Sequence, residues 1–208
     1  MLQIETVEPH TFSILKQLME MPELRGFSLV GGTALSLLYG HRKSVDLDFF
    51  SNKPFDNAQI TISLQNKFGN KFIKEEKAPR FGLFCYVDDV KIDIVRHPHP
   101  LISTLQNIEG MRLFSTEDII AMKVQAILGR GKKKDFWDIA ELLNHFSIAD
   151  FIRFHQEKYA TQNLLITVPQ AITYFADAEE SEDPLSLKNQ TWEGVQAFIT
   201  TKVSEYLL

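Results

Sequence analysis

Between Val45 and Phe49 the chain alternates apolar and acidic residues, Val-Asp-Leu-Asp-Phe. A period of two marks an extended strand whose successive side chains leave on opposite faces. Val45, Leu47 and Phe49 therefore point one way, and Asp46 and Asp48 the other. One face has to be covered by the rest of the protein, while the other has to carry two like charges side by side. The fold must contain a sheet that is closed on one face and open to solvent or a ligand on the other.

The residues ahead of this strand form a second unit. Phe27-Ser28-Leu29-Val30 is a short apolar run that ends at Gly31-Gly32, and an Ala- and Leu-rich stretch, Thr33 to Tyr39, follows and closes at Gly40. Read together, these are a strand, a glycine turn and a short helix with a glycine stop. Thirteen residues lie between Gly32 and Asp46, enough for that helix and a turn returning the next strand beside the first.

Elsewhere the pattern predicts a first helix over Phe12 to Leu24, with Ile14, Leu15, Leu18 and Met19 at helical spacing and Pro22 near its end. Asn57 to Phe68 reads as a further helix. Phe81–Val87 and Val90–Val95 read as a hairpin turned by Asp88-Asp89. From Ser115 onward nearly everything reads as helix: Ile119–Leu128 behind a Ser115/Asp118 cap, then Asp135–Phe146, Ile148–Tyr159, Pro169–Ala178 and Trp192–Leu207. The expected fold is α+β: a small mixed β-sheet core with flanking helices over residues 1–110, then a helical region over 111–208 that completes the active-site cleft. The boundary is expected near residues 100 to 114.

Composition narrows the function. With 208 residues the chain can bury a core without staples, and its one cysteine, Cys85, allows no internal disulfide. Met1 to His10 lacks the basic and then apolar pattern of a secretory signal. The longest nearly apolar stretch, Phe27 to Gly40, is 14 residues, short of the roughly 20 a membrane span requires. A cytoplasmic protein with no membrane partner is expected. The net charge of -5 excludes a coat that binds nucleic acid by charge alone. That total hides structure, because residues 119–134 carry Lys123, Arg130, Lys132, Lys133 and Lys134 with no acid, while residues 177–183 carry five acids.

Two carboxylates on one strand face repel unless a cation lies between them. Carboxylate oxygens are hard ligands suited to Mg²⁺ or Mn²⁺, and a pair at i and i+2 can bridge ions about 3.5–4 Å apart. Solvent-facing strand residues would show the same triplet. The Gly31-Gly32 turn offers free N–H groups and a helix dipole to an anion, or is simply a tight connection. Asp93, a lone acid flanked by Ile92 and Ile94, is costly if buried and unpaired. It is either a third ligand and base beside Asp46 and Asp48 or an outward residue of an edge strand. Lys123 and Arg130, seven apart, share a helix face able to reach phosphates. Arg42 is placed either to pair with Asp46 or to touch substrate. Asp135 and Asp138 sit at the start of a helix, where the dipole favours acids, and a solvated face fits them equally well. His97-Pro98-His99-Pro100 reads as an extended linker and Cys85 as a core residue.

Gly31-Gly32, Asp46-x-Asp48 between apolar residues and the isolated strand acid Asp93 resemble the pattern of the DNA polymerase β-like nucleotidyltransferase superfamily. Within it, Gly31-Gly32-Thr33-Ala34-Leu35, the run Gly40 to Phe50, and Ala121-Met122-Lys123, Ala126, Arg130, Lys134-Asp135 and Asp138-Ile139 are similar to the AbiEii/AbiGii abortive-infection toxin family. The resemblance spans roughly residues 25 to 145. It implies Mg²⁺-dependent transfer of a nucleoside monophosphate from an NTP, with two ions expected and Mn²⁺ an alternative. The implied acceptor is an RNA such as tRNA, or a protein, and a toxin role beside an antitoxin protein is implied as well. Carried over by residue, Asp46, Asp48 and Asp93 are metal-binding and catalytic, Lys123 is catalytic, and Gly31, Gly32, Thr33, Arg42, Ser44, Lys123, Arg130 and Asp135 bind the nucleotide. The second glycine stands where the wider superfamily often has serine, with Thr33 following. The competing expectation is a non-catalytic nucleotide-binding or antitoxin-type module on the same fold.

Overall fold

In the computed structural model, which describes residues 1–76 and 81–208, helix α1 (Pro9–Glu20) leads to strand β1 (Ser28–Val30), and β1 runs straight into helix α2 (Gly31–Tyr39). The glycine pair thus opens the helix instead of forming a turn ahead of it. Gly31 stands at the junction with φ +70°, the left-handed region that only glycine enters at little cost. Pro22 ends α1 as expected, starting a 3₁₀ turn over Pro22–Leu24.

Strand β2 (Leu47–Ser51), helix α3 (Asn57–Phe68), strand β3 (Phe72–Lys74) and the hairpin β4 (Gly82–Val87) and β5 (Val90–Arg96) follow. The hairpin turn is the expected Asp88-Asp89, both with positive φ, as a two-residue turn with right-handed strand twist requires. A second hairpin, β6 (Gln106–Ile108) and β7 (Met111–Leu113), occupies the stretch expected to be a boundary. Three-residue strands are too short to show a period; their one signal is the Glu109-Gly110 turn, again at positive φ.

These strands make one mixed seven-stranded sheet in the order β3-β4-β5-β2-β1-β7-β6, parallel at β2/β5 and β1/β7 and antiparallel elsewhere. Within β2 the alternation holds, with Leu47, Phe49 and Ser51 buried and Asp48 and Phe50 part-exposed, but the strand starts at Leu47, and Val45, expected on the buried face, lies ahead of it and is 57% exposed. Leu83, Cys85, Ile92 and Ile94 are buried with them. This sheet lies in a unit made of Met1–Leu38, Ser44–His99 and Leu105–Phe114.

The second unit, Tyr39–Lys43, Pro100–Thr104 and Ser115–Leu208, is helical. It comprises α4 (Thr116–Gly129), α5 (Lys133–Leu142), α6 (Ile148–Lys158), α7 (Val168–Ile172) and α8 (Trp192–Leu207). Ser115 caps α4 by accepting from the Asp118 N–H, whereas the Asp118 carboxylate accepts from the N–H groups of Ile102 and Ser103 and from Lys158 at 2.6 Å. Its core includes the stacked rings of Trp137 and Trp192, 5.7 Å apart, with Phe136 and Phe175 against Trp192. The segment Tyr39–Lys43 is tied in by backbone bonds from Lys43 N–H to the Leu185 carbonyl and from Leu187 N–H to the His41 carbonyl.

Candidate active site

In the sheet unit, Asp48 stands between Val30 on β1 and Asp93 on β5, its register partner in the parallel pairing. Paired residues of neighbouring strands share a face, so pairing puts Asp93 on the face that Asp48 occupies. Asp46 lies one residue before β2, two before Asp48. Gly31 is required beside them: a Cβ there would sit 2.7 Å from Asp48 Oδ2, closer than side-chain atoms approach, and φ is already left-handed. The space between the start of α2 and the Asp48 carboxylate depends on a residue without a side chain.

Thr33 and Ser44, both expected to bind the nucleotide, are buried and serve the frame. The Thr33 hydroxyl bonds to the Asp46 carbonyl and lies 2.8 Å from Ser44 Oγ, which ties the Ser44–Asp46 stretch to the first turn of α2. The Ser44 N–H donates to the Thr6 carbonyl. Gly31 is thus adjacent to Asp48, and Thr33 holds the approach to Asp46.

Lys91 completes this face. Its ammonium donates to Asp93 Oδ2 at 3.0 Å, and the Asp93 side chain is only 17% exposed. Burial by itself would lower the Lys91 pKa, but the hydrogen bond and charge of Asp93, with the charges of Asp46 and Asp48, hold it above its usual value. The other oxygen, Asp93 Oδ1, is buried with no hydrogen-bond partner, an expensive arrangement for a carboxylate unless a further cation meets it. Asp48 and Asp93 on one face, the latter with an orphaned lone-pair atom, and Asp46 near enough for its charge to act on Lys91, are hard-oxygen side chains of the kind that suits a divalent ion such as Mg²⁺. Among the described residues, however, no group of three His, Cys, Asp or Glu side chains is already gathered closely enough to hold a metal. Cys85, paired with Ile92 across the hairpin, is buried; burial first, then the charges of Asp93 and Glu75, push its thiol up to about 12, so it is no nucleophile.

The helical unit contains a second constellation. Arg42 donates to both oxygens of Asp138, Nε to Oδ1 at 2.7 Å and Nη2 to Oδ2 at 2.9 Å. Lys123 Nζ lies 2.6 Å from Asp138 Oδ2 and 2.8 Å from Asp135 Oδ1. His41 Nε2 is 2.7 Å from Asp138 Oδ1; because a carboxylate only accepts, this nitrogen carries the proton. His41, Arg42, Lys123, Asp135 and Asp138 are all buried. Burial would raise the Asp138 pKa, yet Arg42 and Lys123, with the hydrogen bonds of His41 and Arg42, hold it well below the usual carboxylate range. The same balance, led by burial and reversed by Lys123 and Arg130, lowers Asp135. Lys123, penalised by burial, is held above its usual value by Asp135 and Asp138.

The sequence expectations sort accordingly. Arg42 pairs with Asp138. Asp135 and Asp138 belong to no solvated face, since both are fully buried. Lys123 is enclosed by two ion pairs and Asp135 is its partner. The Arg130 side chain is about half exposed, with Nε 3.6 Å from Asp135 Oδ2, which has no hydrogen bond of its own. The roles of His41, Asp138 and Lys91 emerge only from the tertiary contacts. Their signals were the Gly-His-Arg junction after α2, the three-residue spacing of Asp135 and Asp138, and a lysine two residues from Asp93 on a strand face. In the expected linker, the His97 ring lies 4.6 Å from that of His99 and 5.6 Å from Phe50.

Residues 13–201 match the family described as nucleotidyl transferase AbiEii toxin, type IV toxin–antitoxin system. An uncharacterized protein of Aquifex aeolicus (strain VF5) is 31% identical over 201 residues, covering 93% of this chain and 94% of that protein. Among solved structures, a candidate nucleotidyltransferase from H. pylori aligns with a TM-score of 0.58 at 23% identity, covering 93% of this chain and 90% of that one. MenT4, a nucleotidyltransferase toxin from Mycobacterium tuberculosis H37Rv, aligns with a TM-score of 0.55 at 11% identity over 94% of this chain and 83% of its own. The fold is shared across these structures.

Proposed function

Since the chain belongs to the AbiEii toxin family of nucleotidyltransferases, we propose that it moves a nucleoside monophosphate from an NTP to an acceptor hydroxyl on RNA or protein, and that it does so as the toxin of a toxin–antitoxin pair. The observation that supports this reading most directly is the register of Asp48 with Asp93, with the orphaned Asp93 Oδ1 beside it. Asp46, Asp48 and Asp93 would hold one or two Mg²⁺ ions, which would neutralise charge on the triphosphate and polarise the reacting phosphorus. The triphosphate lies along Gly31 and Gly32, where the α2 N-terminus presents N–H groups. The acceptor oxygen attacks the α-phosphorus as the bond from that phosphorus to the β-bridging oxygen breaks. Pyrophosphate leaves, and Asp93 takes the acceptor's proton.

In the helical unit, the Arg42–Asp138–Lys123–Asp135 network holds Arg130 through Asp135, and Arg130 is the half-exposed cation of that group that can meet a phosphate. Among the described residues no helix is long and apolar enough to cross a membrane.

Incubation with α-labelled NTPs, Mg²⁺, RNA and cell protein tests the proposal. Label should move to an acceptor and be lost in Asp46→Ala and Asp48→Ala. No transfer to RNA, protein or the chain itself, or transfer unchanged in those variants, overturns it; NTP binding without transfer would instead favour the non-catalytic module.

A further inference from the structure

Lys91 is a cation built into an acidic face. It leaves β5 on the same side as Asp93, two residues away, and its ammonium occupies Asp93 Oδ2 at 3.0 Å. Its charge also lies in the field of Asp46 and Asp48. It offsets part of the repulsion between Asp93 and its register partner Asp48, which stand side by side on adjoining strands with Asp46 just ahead of β2. The contact has a cost for any divalent ion, because a lysine ammonium and a metal compete for the same oxygens and repel each other. The same three acids stop short of a ready three-ligand group, and one oxygen of Asp93 is taken by Lys91 while the other has no partner. The side chain is long, flexible and 38% exposed, so its ammonium can swing away while the stem stays in place.

We propose that Lys91 is the internal counter-cation of the carboxylate face: it neutralises Asp93 when no metal is present and has to leave that carboxylate for a divalent ion to bind, so that it sets the affinity for the ion. Lys91 is a positioning residue in this role, acting through Asp93. The inference rests on the proposed Mg²⁺ site at Asp46, Asp48 and Asp93.

The test measures binding of Mn²⁺ alone to the full chain by electron paramagnetic resonance, without nucleotide. Lys91→Met keeps the stem and removes the charge; taking one positive charge from a few ångströms away should tighten Mn²⁺ by at least about tenfold, because a unit charge and a divalent ion at that distance repel by more than this even in the dielectric of water. Lys91→Arg, which keeps the charge, should bind like the wild type. Asp48→Asn should remove binding in both backgrounds. Wild-type binding that depends on Asp48 but does not tighten in Lys91→Met overturns the role of Lys91 and leaves the metal site standing. No saturable binding in either protein overturns both. Should Lys91→Met fail to fold, wild-type protein labelled with ¹³C at lysine Cε serves instead, with the Lys91 signal assigned by Lys91→Arg. That signal should shift on adding Mg²⁺, and a signal that does not move overturns the proposal.

Discussion

Arg42 forks onto both oxygens of Asp138, at 2.7 and 2.9 Å, although 96 positions separate them. Both side chains are buried, so this pair is judged by what happens when one partner is lost. Arg42→Met leaves the Asp138 charge with Lys123 and His41 in a space closed to water. The expected cost is about 3–5 kcal/mol of folding stability. Urea unfolding checks it, and a loss below about 1 kcal/mol would mean that the pair contributes little.

The same network predicts an acid limit. Asp138 is held well below its ordinary 3.8 in the folded protein, and Asp135 is lowered as well. A depressed carboxylate contributes stability that is fully present above the unfolded pKa and is lost as pH falls toward the folded one. Wild-type unfolding free energy should therefore decline as pH drops below about 3.8, by up to about 1.4 kcal/mol per pH unit for each group. Asp138→Asn should be less stable at neutral pH and should show a shallower decline, measured by denaturant unfolding at a series of pH values.

Gly31→Ala puts a Cβ 2.7 Å from Asp48 Oδ2 at a residue with φ +70°. The left-handed backbone costs roughly 1–2 kcal/mol, and the Asp48 carboxylate has to move. Thermal unfolding should show a modest loss, while nucleotidyl transfer should drop at least about tenfold. Gly69→Ala, also at positive φ but with open space where the Cβ would go, controls for the backbone cost alone. Equal activity in the two variants would show that the approach of Gly31 to Asp48 does not matter.

Thr33→Val removes the hydroxyl that joins α2 to the Asp46 carbonyl and keeps the volume. A buried acceptor that loses its donor costs about 1–3 kcal/mol. Transfer should persist at a reduced level, in contrast to Asp48→Asn, where it should vanish. If Thr33→Val abolishes transfer without loss of stability, Thr33 is a ligand contact and not part of the frame.

The alternation from Leu47 to Phe49 is legible because a half-buried strand has only one way to arrange its side chains, and β2 buries Leu47 and Phe49 as that pattern demands; Val45, ahead of the strand, escapes the pattern and is exposed. The Asp88-Asp89 hairpin and α8 were readable for the same kind of local reason: turn chemistry and helical spacing are written in neighbouring residues. The β6–β7 hairpin was missed because three-residue strands have no period to detect. The end of α2 was read from Gly40, but its beginning was placed two residues late, since a glycine at a junction and a glycine in a turn look alike in sequence.

What the sequence determined by itself is the acidic strand face, the glycine junction before it and the succession of helices after Ser115, all products of local sterics and hydrophobic period. Tertiary structure alone decided that Asp93 is the register partner of Asp48, that Lys91 neutralises it, and that Arg42 and Lys123 close on Asp138. Apart from Lys91 and Asp93, two residues apart on one strand, these charges are well separated along the chain, and burial makes an unpaired charge among them costly to leave. Spacing can propose which residues meet, but the pairing of strands and the exclusion of water choose among the possible partners.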